Sequence, residues 1–268
     1  MINLKEIIDK YDTILIGAGA GLSAAAGAKY DGKKFMDNFK YMYDLYGYTD
    51  MYSAGFHEFN TLEEKWAYWS KYIYINRYET DALDLYKRLF NLVKDKNYFV
   101  ITTNVDHQFQ KSNFAKDRLF YMQGDFGLFE CTNNCKNITY DNKEYIFKMV
   151  NNIKDNKIPS SLIPKCPNCG SNLRTNLRED SNFVEDNGWH KAKNRYIDFI
   201  RNNKNKKILL LELGVGYLTP VWIKYPFINF TYNNKNALYI TINDKDQFIP
   251  SEISKQTIKI IGNIDEYI

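Results

Sequence analysis

Apolar positions fall along this chain in two rhythms. Thr13–Ile16, Tyr98–Thr102, Lys207–Leu213, Ala237–Ile242 and Thr257–Ile261 are short, mostly apolar runs, and Phe120–Met122 is a briefer one. Such runs predict strands covered on both faces. Between them the spacing becomes helical. Leu83, Tyr86, Leu89, Phe90 and Val93 predict a helix over 80–93, and Trp66, Trp69, Ile73 and Asn76 lie near one face of another. That second helix opens at Thr61, with Glu64 three residues on as in a capping box, and runs to about Tyr78. Further helices are expected at Leu4–Lys10, Leu22–Ala28, Asp106–Asn113 and, rich in Lys and Arg, Asp186–Asn203. Asp31–Tyr52 reads as loop, because Phe35, Phe39, Tyr41, Tyr43 and Tyr46 are irregularly spaced. From Leu128 to about Asp180 the chain turns polar and loop-rich.

Strands alternating with helices predict an α/β fold, a Rossmann-like doubly wound parallel sheet with a smaller zinc-binding and helical lobe. Residues 1–30, 80–127 and 182–268 are assigned to the Rossmann-like lobe. Residues 31–79 form a helical, aromatic-rich insertion and 128–181 a cysteine-bearing module. In the insertion, Trp66, Tyr68, Trp69, Tyr72, Tyr74 and Tyr78 either pack a core or, with Arg77, line a cleft; the sequence leaves both open.

Composition narrows the function classes. The 268 residues are 44% hydrophobic, enough for a sizeable core. A net charge of +4 with scattered lysines gives no reason to expect nucleic acid. The longest apolar run, Ile208–Leu213, contains Glu212 and is far too short for a membrane span. The opening MINLKEIIDK is amphipathic and not of signal-peptide type, so the expectation is a soluble, cytoplasmic protein. In that reducing setting Cys131-x3-Cys135 and Cys166-x2-Cys169 read as two thiolate hooks on one structural Zn²⁺ rather than as disulfides.

The residues from Ile14 to Gly27, ILIGAGAGLSAAAG, run an apolar strand into a glycine turn and a small-residue helix, the arrangement that receives a pyrophosphate. Gly17, Gly19 and Gly21 permit the tight turn, and Ser23 and Ala24 open the helix. No acidic residue ends a second strand about twenty residues on, which argues against hydride transfer, and no Gly-Lys-Ser/Thr follows. Asn104 and Asp106 follow the strand ending at Thr102, where they serve a site or simply cap the next helix. His107 beside them is an alternative base. His57 and His190 have no companions at metal or triad spacing.

Gly19–Gly27, then Thr102-Thr103-Asn104-Val105-Asp106, then Gln123-Gly124, then two cysteine pairs, resemble in order the sirtuin motifs GAGxSxxxG, TQNxD, HG and zinc lobe. Gly214-Val-Gly-Tyr-Leu-Thr-Pro, Ile242-Asn243 and Gly262-Asn263 fit later family positions more loosely. The family's IPDFR segment is absent, TQN has become Thr102-Thr103-Asn104, and Gln123 stands in place of histidine. That replacement, with the aromatic insertion and the Glu212–Phe227 stretch, is most similar to the macrodomain-linked class M sirtuins. The resemblance implies an NAD-dependent protein mono-ADP-ribosyltransferase acting on a protein acceptor, a lipoylated carrier related to the glycine-cleavage H protein, with a macrodomain protein as functional partner. It implies catalytic roles for Asn104, Asp106 and Gln123: Asp106 toward the nicotinamide carboxamide, Asn104 toward the ribose hydroxyls or a water. It implies NAD contacts at Gly19, Ala20, Gly21, Ser23, Ala24, Thr103, Asn104, Asp106, Gln123, Gly214, Val215, Gly216, Thr219, Asn243, Gly262, Asn263 and Ile264. An amide has no usable basicity near neutral pH, so Gln123 can hydrogen-bond a ribose hydroxyl but cannot take its proton, as deacylation requires. A lysine deacylase, a glycohydrolase and a non-catalytic NAD or ADP-ribose sensor are the competing readings.

Overall fold

The computed structural model describes residues 2–217 and 220–268. In chain order its first elements are α1 (Leu4–Asp9), β1 (Thr13–Ala18), α2 (Ala20–Ala25), α3 (Gly32–Tyr46), α4 (Met51–Gly55), α5 (Leu62–Ile73), α6 (Asp84–Val93), β2 (Asn97–Thr102), α7 (Gln108–Lys111) and β3 (Leu119–Tyr121). There follow β4 (Gly124–Cys131), β5 (Thr139–Asp141), α8 (Lys143–Val150), β6 (Leu173–Leu177), α9 (Asn187–Asn203), β7 (Ile208–Leu213), α10 (Lys224–Asn233), β8 (Ala237–Asn243) and β9 (Thr257–Ile261). They group into two compact units.

The first unit takes the described residues up to Gly27, Ala82–Gly124 and Glu185–Ile268. Its parallel sheet is ordered β3-β2-β1-β7-β8-β9, the doubly wound order 3-2-1-4-5-6 when its strands are numbered among themselves. Alternate residues of each strand feed opposite layers. Ile14, Ile16, Val100, Leu209, Leu211 and Ile240 pack with Leu85, Leu89 and Val93 of α6. Leu15, Phe99, Ile208, Leu210 and Tyr239 pack with Ala192 of α9 and Phe227 of α10. Burial on both faces explains the unbroken apolar runs in the sequence.

The second unit comprises Ala28–Asp81 and Asp125–Val184. It contains a three-stranded sheet ordered β5-β4-β6 and the helices α3, α4, α5 and α8. The Thr61 hydroxyl accepts from the Glu64 amide at 3.3 Å, so Thr61 is the N-cap of α5 as expected. The helix continues through Tyr74–Glu79 as a π-helical turn. Trp66, Tyr68 and Tyr72 are buried, and Trp66 and Tyr72 meet Phe129 and Phe126 edge-on at 5.1 and 5.3 Å. These rings are core. The loop expected over Asp31–Tyr52 is instead largely helical. Phe35, Phe39 and Met42 are fully buried across a kink at Phe39, and the exposed Tyr43, Leu45 and Tyr46 that follow blurred the helical period. Gly47, at φ +75°, ends α3 with the left-handed cap that suits glycine.

Candidate active site at the switch point of the sheet

Doubly wound sheets bind ligands where the strand order reverses, outside the carboxyl ends of the strands. Here that point lies between β1 and β7, whose ends carry the turns at Gly19 and Gly214. The two turns interlock. The Gly19 amide donates to Leu213 O and the Gly21 amide to Gly214 O, both at 3.0 Å. A Cβ on Gly19 would lie 2.7 Å from Gly214 O, and one on Gly21 would lie 2.7 Å from Gly214 Cα. Gly214 itself has φ +62°, and its Cβ would meet Gly21 C at 2.4 Å. Gly17 faces Ile223 and Phe227, 2.4 Å from the Ile223 methyl. Glycine is therefore required at 19, 21 and 214 so that protein backbones can approach one another, and at 17 so that two apolar side chains can approach the strand. Sequence reasoning ascribed the same residues to the approach of a phosphate.

Four polar side chains are gathered beside this turn. Ser23 Oγ on α2 donates to Asp106 Oδ2 at 2.5 Å and lies 2.6 Å from the Tyr86 hydroxyl on α6. Asn104 Nδ2 donates to Gly19 O at 3.0 Å, Tyr86 OH at 3.1 Å and Ser23 Oγ at 3.2 Å. Since Ser23 gives its proton to the carboxylate, the Tyr86 hydroxyl donates to Ser23 and accepts from Asn104. The result is a directed chain from Asn104 through Tyr86 and Ser23 to Asp106. A carbonyl can only accept, so Gly19 O fixes the amide nitrogen of Asn104 inward and leaves Oδ1 available. Ser23, Tyr86 and Asp106 are nearly inaccessible to solvent. Burial, reinforced by the Asp106 charge, pushes the Tyr86 hydroxyl pKa well above its ordinary value and keeps it protonated. Asp106 Oδ1 also accepts from the Gln108 amide at 3.1 Å, a local turn bond that ties the cluster to the first residue of α7, whose N-cap is His107. Tyr86 is the member that sequence reasoning missed; its apolar helical spacing concealed a polar task.

The remaining expected residues are placed as follows. The Thr103 amide donates to Ala18 O at 3.1 Å, which holds the end of β2 against β1. Gln123 is half-buried one residue beyond Met122, whose amide donates to Thr102 O at 3.1 Å and whose carbonyl accepts from Trp189 Nε1 at 3.0 Å. Those contacts fix the backbone immediately before Gln123. Ala20 and Ala24 are exposed, Val215 is buried and Gly216 is exposed. Asn243 is buried and its Nδ2 donates to Val215 O at 3.0 Å, so its side chain braces the β7 turn. The Gly262 amide donates to Asn243 O at 2.9 Å, the Asn263 side chain caps the following turn at Asp265, and the Ile264 side chain is in the core. Thr219 lies outside the described residues. His107 adopts φ +66°, a left-handed conformation, directly after Asp106.

In the second unit the four cysteine sulfurs lie within 4.8 Å of one another. Cys131 and Cys169 are 3.5 Å apart, as are Cys135 and Cys166. Tetrahedral zinc at Zn–S of about 2.3 Å needs sulfurs roughly 3.8 Å apart, so the four thiols fit one ion. Gly170, at φ +75°, turns the second hook back, and its amide donates to Cys166 O at 2.9 Å. Four sulfur ligands leave no open position, which makes such a site structural.

No protein-family model matches the chain. A protein ADP-ribosyltransferase of Staphylococcus aureus is 37% identical over 266 residues, covering 99% of this chain and 84% of the relative. A probable bifunctional ADP-ribose hydrolase/ADP-ribosyltransferase of Fusarium oxysporum f. sp. cubense is 30% identical over 241 residues, covering 83% of this chain and 38% of that longer protein. A solved structure concerned with sirtuin substrate affinity superposes with a TM-score of 0.60 at 16% identity, covering 100% of this chain and 96% of the other.

Proposed function

Since the chain belongs to the sirtuin-type protein ADP-ribosyltransferases, we propose that it binds NAD at the switch point of its parallel sheet and carries ADP-ribose to a protein acceptor. NAD supplies a glycosidic bond whose leaving group, nicotinamide, is neutral once released. Cleavage of such a bond needs stabilised positive charge at the anomeric carbon more than it needs a strong base.

The observation that carries this reading is the orientation of Asn104. With its nitrogen held by Gly19 O, Tyr86 and Ser23, the amide offers Oδ1 as a fixed acceptor for a ribose hydroxyl. Asp106 sets a buried carboxylate a short distance along the same chain. By the family resemblance Asp106 serves the carboxamide N–H, and its charge favours the developing cation. Gln123 adds a neutral donor and acceptor. With no proton acceptor at that position, activation of a ribose hydroxyl, the step that distinguishes deacylation, lacks its base. Positioning of the acceptor nucleophile then supplies the remaining rate.

The acceptor we propose is a lipoyl-carrier protein related to the glycine-cleavage H protein, and the functional partner a macrodomain protein. The first rests on the class M resemblance. The second also draws on the Fusarium relative, whose name joins an ADP-ribose hydrolase and a transferase in one chain. Among the described residues no helix is long and apolar enough to cross a membrane.

Incubation with labelled NAD and a lipoylated carrier tests the proposal. Label on the carrier is the expected result. Acyl-ADP-ribose from an acylated peptide, free ADP-ribose alone, or binding without product would each replace it with a competing reading. Asn104→Ala is expected to abolish turnover without unfolding the chain. Turnover that persists in that variant would mean the chemistry lies elsewhere.

A further inference from the structure

Glu212 and Lys224 form an ion pair inside the sheet unit, their side chains 0% and 2% exposed. Glu212 stands in β7, in register between Gly17 of β1 and Thr241 of β8. Its carboxylate accepts from Lys224 Nζ, from the Tyr239 hydroxyl at 2.7 Å and from Thr241 Oγ1 at 3.0 Å. Because Gly17 has no side chain, Ile223 and Phe227 settle onto the sheet beside Glu212, and Lys224 between them reaches the carboxylate. The same ammonium lies 5.5 Å from the centroid of the Tyr217 ring, and the Tyr217 hydroxyl accepts from the Phe248 amide at 2.7 Å. One buried cation therefore joins β7, the turn that follows it and the loop that follows β8.

Stability alone does not account for this pair. Two charges taken out of water lose about as much in desolvation as they gain from one another, and a neutral pair of similar volume is often no less stable. The surrounding layer is apolar, with Leu210, Val215, Ile223 and Phe227 close by in the same core cluster. What a compact ammonium does there, and an apolar side chain does not, is fix one register, because its charge and donors accept only the arrangement that brings it to the carboxylate. We propose that Glu212 and Lys224 are positioning residues that lock the backbone of Gly214–Tyr217, and with it the surface this turn presents to NAD. The NAD half of this inference rests on the function proposed above; the locking half does not.

The test replaces the pair in the full chain by Glu212→Gln with Lys224→Met, which keeps one acceptor oxygen and turns an amide N–H toward the other hydroxyl, which can accept. Expected are a Tm no lower than wild type, a KM for NAD raised about tenfold, and kcat within about twofold. Amide hydrogen exchange at Gly214–Tyr217 and Phe248 should quicken at least about tenfold while the β7 and β8 amides hold. A lower Tm with unchanged KM and unchanged exchange in the turn would make the pair merely structural and overturn the inference. Tyr217→Phe is a second variant at an exposed position that removes only the acceptor for Phe248. Faster exchange at Phe248 supports the clamp and unchanged exchange refutes it. Absence of NAD turnover by the wild type would defeat the functional reading instead, and the exchange measurement, which needs no NAD, still decides the locking.

Discussion

The Tyr86 hydroxyl sits 3.1 Å from Asn104 Nδ2 and 2.6 Å from Ser23 Oγ, so one buried phenol on α6 links α2 to the turn after β2. Tyr86→Phe removes a donor and an acceptor from a buried chain while keeping the ring that packs edge-on against Phe109 at 4.9 Å. An unsatisfied buried partner costs about 1–3 kcal/mol, and part of that should appear as lost stability. The freed Asn104 amide should lower kcat for NAD cleavage about tenfold, which corresponds to about 1.4 kcal/mol. Steady-state kinetics beside thermal unfolding check both. A variant with wild-type kcat would show that the phenol serves packing alone.

The two glycines after β7 should respond in opposite ways. Gly214→Ala would place a methyl 2.4 Å from Gly21 C at a left-handed φ, whereas a methyl on Gly216 meets nothing within 4 Å. The first is expected to cost at least about 2 kcal/mol in chemical denaturation. The second should leave stability within about 0.5 kcal/mol. Any rise in the KM for NAD in Gly216→Ala would then report ligand contact rather than damage to the fold.

Metal analysis of the purified chain should find one zinc per molecule, bound by Cys131, Cys135, Cys166 and Cys169. Chelation or Cys169→Ser is expected to unfold the β5-β4-β6 region, since binding at such sites is worth on the order of 10 kcal/mol and is coupled to folding. Protection in the parallel sheet should outlast it. A chain purified without metal yet equally stable would exclude the site.

His107 offers the remaining proton acceptor next to Asp106, and its backbone is left-handed. Asn tolerates that conformation and has no usable basicity. His107→Asn is therefore expected to retain NAD turnover within about threefold. A drop of about a hundredfold would transfer the base role to His107.

Much of the fold could be read from the chain because its signals are local. Thr257–Ile261 is a strand with the expected bounds, Thr61 caps α5, and the Asp186 carboxylate accepts from the Trp189 amide to start α9. Elements went unread where local signals conflict. In α3 exposed tyrosines mask the Phe35–Phe39–Met42 stripe, and α10 (KYPFINFTYN) carries aromatics on several sides and a Pro in its first turn. Proline is tolerated there because first-turn amides have no helical partner, yet in a sequence it reads as a break.

By itself the sequence determined the α/β class, the order of the glycine, Asn-x-Asp and cysteine motifs, and the absence of histidine at Gln123, since each is a matter of residue type and spacing along one chain. Only the tertiary structure decided that the glycines of the first turn are filled by Gly214, that Tyr86 belongs with Ser23, Asn104 and Asp106, and that Lys224 lies on Glu212. Those relations join residues well separated along the chain, where neither periodicity nor propensity carries information. They arise because parallel strands bring all their carboxyl ends to one edge of the sheet, whatever their separation in sequence.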